Sequence, residues 1–153
     1  MDFVLPLVFD TTAAPPAAPA ELLGSKAANL LALRQLDFTI PPFYVVTSEA
    51  FRQAADQTEL DRLMTTWVER VSGTEQEASE AAADIRRWLQ RLELPRSLRN
   101  AIRSAHQQTI PEGSFLAVRS SVVGEDSPLH SFAGLHDTLL GLRQTEEVFD
   151  AVK

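Results

Sequence analysis

Residues 57 to 107, about a third of the chain, carry helical apolar spacing, and this leaves only short flanking segments for β-structure. Three helices are predicted there: Asp61 to Val71, Glu75 to Leu92 and Pro95 to Gln107. Pro95 suits a first helical position, where its missing N–H has no intrahelical partner to lose. Arg86, Arg87, Trp88 and the many glutamates describe an amphipathic, solvated surface with no evident chemistry. Strand-like runs lie on either side of this block. They are Phe3 to Phe9, Phe43 to Thr47, Phe115 to Arg119 and Thr138 to Leu142, rich in aromatic and β-branched residues. The expected fold is therefore mixed α/β (α+β), one domain over residues 1 to 153. A small sheet would join the last three of those runs, with helices packed around it.

Local signals refine this outline. Thr11 to Ala20 (TTAAPPAAPA) has no pattern that could bury a face and reads as a linker or exposed loop. Gly24-Ser25 opens a helix whose apolar stripe is Ala27, Leu30 and Leu31, with Ser25 placed to cap it. Pro41-Pro42 lies past its end and pushes the preceding residues toward extended conformations. Thr47 or Ser48 can cap the next helix. Glu146 begins a further helix that reaches Lys153 with no Gly, Asn or Pro stop signal, which suggests a piece of a longer protein.

Composition narrows the classes of function. With 44% hydrophobic and 23% charged residues the chain is not disordered as a whole. A net charge of −7 repels nucleic-acid backbones, so any anionic ligand must be held by a few local cations. There is no cysteine, hence no disulfide, thiolate metal site or thiol nucleophile. The apolar N-terminus carries Asp2 rather than a basic region, unlike a signal peptide, and no apolar run approaches the ~20 residues of a membrane span. A cytoplasmic location fits these features.

Four features carry candidate chemistry. Lys26, one of two lysines, falls in the first turn of a helix, where a cation is mildly unfavourable. It is either a flexible surface lysine or the partner of an anion bound at the helix N-terminus. Arg119 shares a strand face with Phe115 and Ala117 and needs an anion: Glu125 or Asp126 in the next loop, a phosphate gripped by its guanidinium, or both. Gly134, in Ser131-Phe132-Ala133-Gly134, permits either a sharp turn or a close approach to a ligand. Thr138, after Asp137, offers a hydroxyl to a phosphate or is simply a strand residue. His130 and His136 flank this loop without metal-site spacing.

In their order and spacing, these segments resemble the pyruvate/phosphoenolpyruvate-utilising ATP-grasp enzymes. Leu23-Gly24-Ser25-Lys26-Ala27-Ala28-Asn29-Leu30 is similar to their "GGKAANL" opening, and Ile40 to Thr47 to "VPPGFVVT". Ala117-Val118-Arg119-Ser120-Ser121, Glu125-Asp126, Ser131 to Gly134 and Asp137-Thr138 are similar to "AVRSS…ED…SFAG…DT". The resemblance spans nearly the whole chain, with little contribution from residues 55 to 110.

The resemblance implies the N-terminal part of an ATP-grasp nucleotide-binding domain from an enzyme like phosphoenolpyruvate synthase. Lys26 and Arg119 would bind ATP phosphates. Ser131, Ala133 and Gly134 would lie in a loop over them, with Thr138 at its end, while Glu125 and Asp126 shape the loop. No catalytic residue and no metal ligand is expected in this chain. The Mg2+ ligands, the adenine pocket, the phosphohistidine domain and the pyruvate-binding domain would all lie outside it. Ser25 departs from the second Gly of the opening motif, Phe43 from the Gly of "PPGF", and His136 from a common Gln. Ser121 and Phe132-Ala133-Gly134 argue against a pyruvate phosphate dikinase proper. A rifampin phosphotransferase-like enzyme and a stand-alone nucleotide-binding or interaction module are the alternatives.

Overall fold

The computed structural model describes residues 7–11, 20–121 and 138–153, apart from the side chains of residues 20, 21 and 57. The beginning of the first predicted strand, most of the Ala/Pro segment and the loop beyond Ser121 lie outside these residues. The described elements run β1 (Val8–Asp10), α1 (Ala20–Leu23), α2 (Ser25–Gln35), β2 (Tyr44–Val46), α3 (Ser48–Ala54), α4 (Gln57–Val71), α5 (Glu75–Arg91), α6 (Arg96–Thr109), β3 (Leu116–Arg119), β4 (Thr138–Leu142) and α7 (Thr145–Ala151). The mixed α/β class is as expected, but the sheet is not single. β1 pairs antiparallel with β2, and β3 pairs antiparallel with β4, as two separate ribbons.

The predicted grouping of β2 with β3 and β4 fails because β1 takes the place beside β2. Val8, Phe9 and Asp10 stand opposite Val46, Val45 and Tyr44. The pairing continues past the ladder, where the N–H and the hydroxyl of Thr47 both donate to the Leu7 carbonyl, at 3.0 and 3.1 Å. Thr47 does hold the cap position of α3, but its side chain makes no cap bond there.

The β1–β2 ribbon is apolar on both faces, and each face supports one cluster. Val8, Tyr44 and Val46 pack on Ala50, Leu94, Leu98, Ile102, Val148 and Phe149 from α3, α6, α7 and the turn before α6. Phe9, Phe43 and Val45 pack on Leu22, Leu23, Ala27 and Leu31 from α1 and α2. The two-residue period of a strand sends alternate side chains to opposite sides, so three residues of β2 reach both clusters. Burial of Tyr44 pushes its phenol up to about 12. Thr11, expected at the start of a loose linker, is instead buried, and its hydroxyl donates to the Phe43 carbonyl. Arg34 of α2 donates to the Thr11 carbonyl and lies over the Phe43 ring, which ties α2 to the same ribbon.

Residues 57 to 107 are helical as predicted, with shifted ends. α4 starts at Gln57 because Asp56 caps it, accepting the Glu59 N–H at 3.2 Å. α5 starts with a reciprocal Thr74–Glu77 capping box. Pro95 precedes α6 rather than opening it, since its ψ of 148° is extended. The α4–α5 hairpin packs mainly on itself. Leu63 and Ala81 are its buried apolar residues, while Met64, Val68 and Val71 remain exposed. Its charges form surface pairs within one helix, such as Arg62 with Glu59 at 2.6 Å, in keeping with a solvated face. Among the described residues no helix is long and apolar enough to cross a membrane.

α7 begins one residue before the predicted Glu146 and ends at Ala151, where the Val152 N–H bonds the Val148 carbonyl. Its start is fixed by Glu147, whose carboxylate accepts the N–H groups of Arg143 and Gln144 at 2.7 and 2.8 Å.

Two predictions follow from this packing. Ile102 is fully buried in the larger cluster, so Ile102→Ala should cost about 2–5 kcal/mol in urea unfolding, the usual penalty for such a cavity. The Arg143 and Gln144 N–H groups hold Glu147 below the ordinary value of 4.5. A carboxylate depressed in the folded state stabilises above its unfolded value, and the contribution disappears as pH falls through the folded value. Glu147→Gln should therefore flatten the loss of thermal stability measured from about pH 5 to pH 3.

Candidate phosphate-binding site

The site is built where the chain turns from α1 into α2. Leu22 and Leu23 are buried, so α1 is anchored, and the chain must reverse at once into α2. Gly24 makes that turn with φ +78°, a conformation that costs an L side chain energy. It also leaves space for a second segment. A Cβ at position 24 would overlap the carbonyl oxygen and hydroxyl of Ser121. Ser121 is two residues past the end of β3, so a glycine lets the strand that carries Arg119 reach the start of α2.

Ser121 also bonds the helix. Its Oγ accepts the Ala27 N–H at 3.2 Å. This corrects the expected role of Ser25, which is the first residue of α2 rather than its cap. The cap position belongs to Gly24, which has no side chain to offer. The hydroxyl reaching the helix N-terminus is that of Ser121, 94 residues along the chain from Ala27.

Lys26 lies in this first turn, partly buried and engaged in interactions within the fold. The turn contains no acidic residue to balance it. The N-terminal end of α2 thus joins the positive pole of the helix dipole to an ammonium group.

Arg119 and Thr138 meet across the other ribbon. Leu116 and Val118 of β3 turn inward against the larger cluster, while Phe115, Ala117 and Arg119 are exposed. Arg119 stands directly opposite Thr138 in the antiparallel register. Such cross-strand partners have Cβ atoms about 5 Å apart on one face, so the guanidinium and hydroxyl can share a ligand. Further along, the ladder skips Gly141, whose φ of +78° takes up the extra residue of a bulge. Arg143 then lies over the Phe115 ring, 4.1 Å from its centre. Leu140 and Phe115 remain 72% and 63% exposed, so this ribbon offers a partly apolar outer face.

Three of the six predicted residues are therefore described, and they occupy one region. Lys26 is on the helix that Ser121 bonds, Arg119 is two residues before Ser121, and Thr138 is opposite Arg119. Ser131, Ala133 and Gly134 lie outside the described residues, as do Glu125, Asp126, His130 and His136. Among the described residues Arg119 forms no ion pair, and no cluster of three His, Cys, Asp or Glu could hold a metal ion. The third histidine, His106, is on α6 edge-on to Tyr44. A groove between α4 and α5, lined by Arg62, Arg70, Arg87 and Arg91, includes none of the site residues. Local sequence marks Gly24 as part of a helix start and Ser121 as part of a longer motif, but it does not predict their contact. The available signal was a glycine at a helix start and a serine two positions after a strand arginine, both inside longer motifs.

The helix N-terminus that bears Lys26 is thus bonded to the segment that follows the strand bearing Arg119. The sequence comparison is specific: residues 20–153 match the family described as "Pyruvate phosphate dikinase, AMP/ATP-binding domain", and the chain belongs to that family. It is 33% identical over 138 residues to phosphoenolpyruvate synthase of Deinococcus radiodurans, covering 87% of this chain and 18% of that protein. It is 38% identical over 138 residues to phosphoenolpyruvate synthase of Aeropyrum pernix, covering 86% of this chain and 17% of that protein. Rifampicin phosphotransferase of Streptomyces sviceus is 34% identical over 123 residues, covering 79% of this chain and 14% of that protein. The chain thus spans less than a fifth of the length of these relatives.

The geometry at Gly24 yields a prediction. Gly24→Ala adds a Cβ both at positive φ and into the Ser121 backbone. It should lower stability by more than the ~1 kcal/mol usual for a glycine in that conformation, measured as a drop in urea midpoint. An unchanged midpoint would show that α2 and the end of β3 do not need this approach.

Proposed function

We propose that this chain is the ATP-phosphate-holding portion of a phosphoenolpyruvate synthase-like phosphotransferase with an ATP-grasp architecture. The observation that carries the reading is the bond from the helix of Lys26 to the segment just past Arg119, which brings two motif cations into one region. Family membership supplies the nucleotide. In this reading Lys26 and Arg119 neutralise ATP phosphate charge, and Thr138 donates its hydroxyl beside Arg119. Ser131, Ala133 and Gly134 contribute backbone N–H groups from the intervening loop. Charge neutralisation and positioning are the main levers in phosphoryl transfer, because the protein has little covalent work to do there.

In the whole enzyme, ATP would pass a pyrophosphoryl group to a histidine on a separate domain. Pyruvate would then be phosphorylated on a third domain, with phosphoenolpyruvate, AMP and phosphate as products. Mg2+ would offset phosphate charge in that chemistry. Its ligands would lie on other parts of the enzyme. The partly apolar outer face of the β3–β4 ribbon suits the second ATP-grasp subdomain. A rifampin phosphotransferase-like enzyme is less favoured, since relatives bearing the synthase name are the more numerous among the matches.

Calorimetric titration of the whole enzyme with ATP tests the binding reading. Lys26→Ala and Arg119→Ala should each weaken binding about tenfold or more, a loss of roughly 1.4 kcal/mol, with unchanged circular dichroism. Affinities equal to that of the unsubstituted enzyme in both variants would overturn the assignment. For the acceptor, the whole enzyme should form phosphoenolpyruvate from pyruvate and ATP, and transfer to rifampin instead would favour the alternative.

A further inference from the structure

We propose that Ser121 is a positioning residue for the ATP site, clamping the helix of Lys26 onto the strand of Arg119; this role rests on the ATP reading above. Ser121 has two separate contacts with the same helix start. Its Oγ accepts the Ala27 N–H at 3.2 Å, and its carbonyl and hydroxyl fill the space left by the absent Gly24 side chain. Either contact alone could be incidental packing, but together they fix both the distance and the direction of approach.

The local chemistry explains why a clamp is needed from outside the helix. Helix N-termini leave N–H groups without intrahelical acceptors. α2 has glycine at its cap position, serine already inside its first turn, and no acidic residue in that turn. The hydroxyl that reaches the Ala27 N–H therefore comes from a segment distant in sequence. Ala27 is buried with Leu23 and Leu31, so the bonded end of α2 is itself anchored. Behind Arg119, Leu116 and Val118 are anchored in the other cluster. Ser121 thus links two ends that are each held by a different core: the bonded Ala27 directly follows Lys26, and Ser120 alone separates Ser121 from Arg119.

Ser121 does not itself need to touch ATP. Its effect would pass through Lys26, and this distinguishes it from a direct ligand. The test uses the whole enzyme with Ser121→Ala, alone and combined with Lys26→Ala, plus Ser121→Thr to retain a hydroxyl. Hydrogen exchange of the Ala27 amide reads the clamp, and calorimetric titration with ATP reads the site.

With Ser121→Ala, exchange at Ala27 should accelerate roughly fivefold to tenfold, and ATP affinity should fall by a similar factor. Ser121→Thr should restore much of both. In the Lys26→Ala background, Ser121→Ala should weaken ATP little further, because its influence runs through the side chain already removed. Unchanged Ala27 exchange in Ser121→Ala would overturn the clamp. Faster exchange with unchanged ATP affinity would overturn the positioning role. An equal further loss in the Lys26→Ala background would also overturn it, in favour of direct contact. If the unsubstituted whole enzyme binds no ATP, the ATP reading itself fails together with the positioning role, while Ala27 exchange still decides whether the clamp exists.

Discussion

The approach of Ser121 to Gly24 is the contact on which the candidate site depends. α2 belongs to one apolar cluster and β3 to another, and nothing in either cluster requires their ends to meet. They meet because Gly24 lacks a side chain and turns at positive φ, and because Ser121 supplies an acceptor to a helix that has no cap of its own. Removing the glycine's permissiveness would set sterics against the hydrogen bond. One small residue and one hydroxyl therefore determine whether Lys26 and Arg119 share a region.

The support beneath this contact is the β1–β2 ribbon. Two short strands would be marginal alone, since an isolated ribbon in water gains little. Here both faces are covered, one by α1 and α2 and the other by α3, α6 and α7, so three residues of β2 serve two cores. The β3–β4 ribbon is built differently. Its inner face joins the larger cluster, while its outer face carries Arg119, Thr138, Ala117, Leu140 and Phe115 toward solvent. That asymmetry suits a binding face: the strand is held from behind, and its cation stands on the open side. The α4–α5 hairpin contributes neither cation nor motif, and its paired charges keep it wet.

Much of this was legible in local patterns. Thr138–Leu142 was placed to the residue, and the three central helices were recognised from their apolar spacing. The errors cluster at boundaries and partners. Asp56 caps α4 through the Glu59 N–H and starts the helix at Gln57, ahead of the Asp61 that apolar spacing predicts. Proline's suitability for a first helical position does not decide Pro95, whose extended ψ puts it just outside α6. The apolar run that contains β1 predicts a strand but not its pairing with β2, because alternation along a strand says which residues are apolar and not which edge they pair with. Thr11 looked like the first residue of a loop, and only its bonds to Phe43 and Arg34 reveal it as buried structure.

For the site, sequence alone determined the chemistry of the candidates: a lysine at a helix start, an arginine on a strand and a threonine at the head of another. Helical and strand periods are local properties, so these placements could be made without knowledge of the rest of the chain. Tertiary structure decided which of them meet and what holds them. The bond from Ala27 to Ser121 spans 94 residues, and the Arg119–Thr138 pairing closes a segment from β3 to β4. No local period encodes such contacts. They form because two separately anchored ends leave one helix N–H in need of an acceptor and one glycine-sized space in which the acceptor fits.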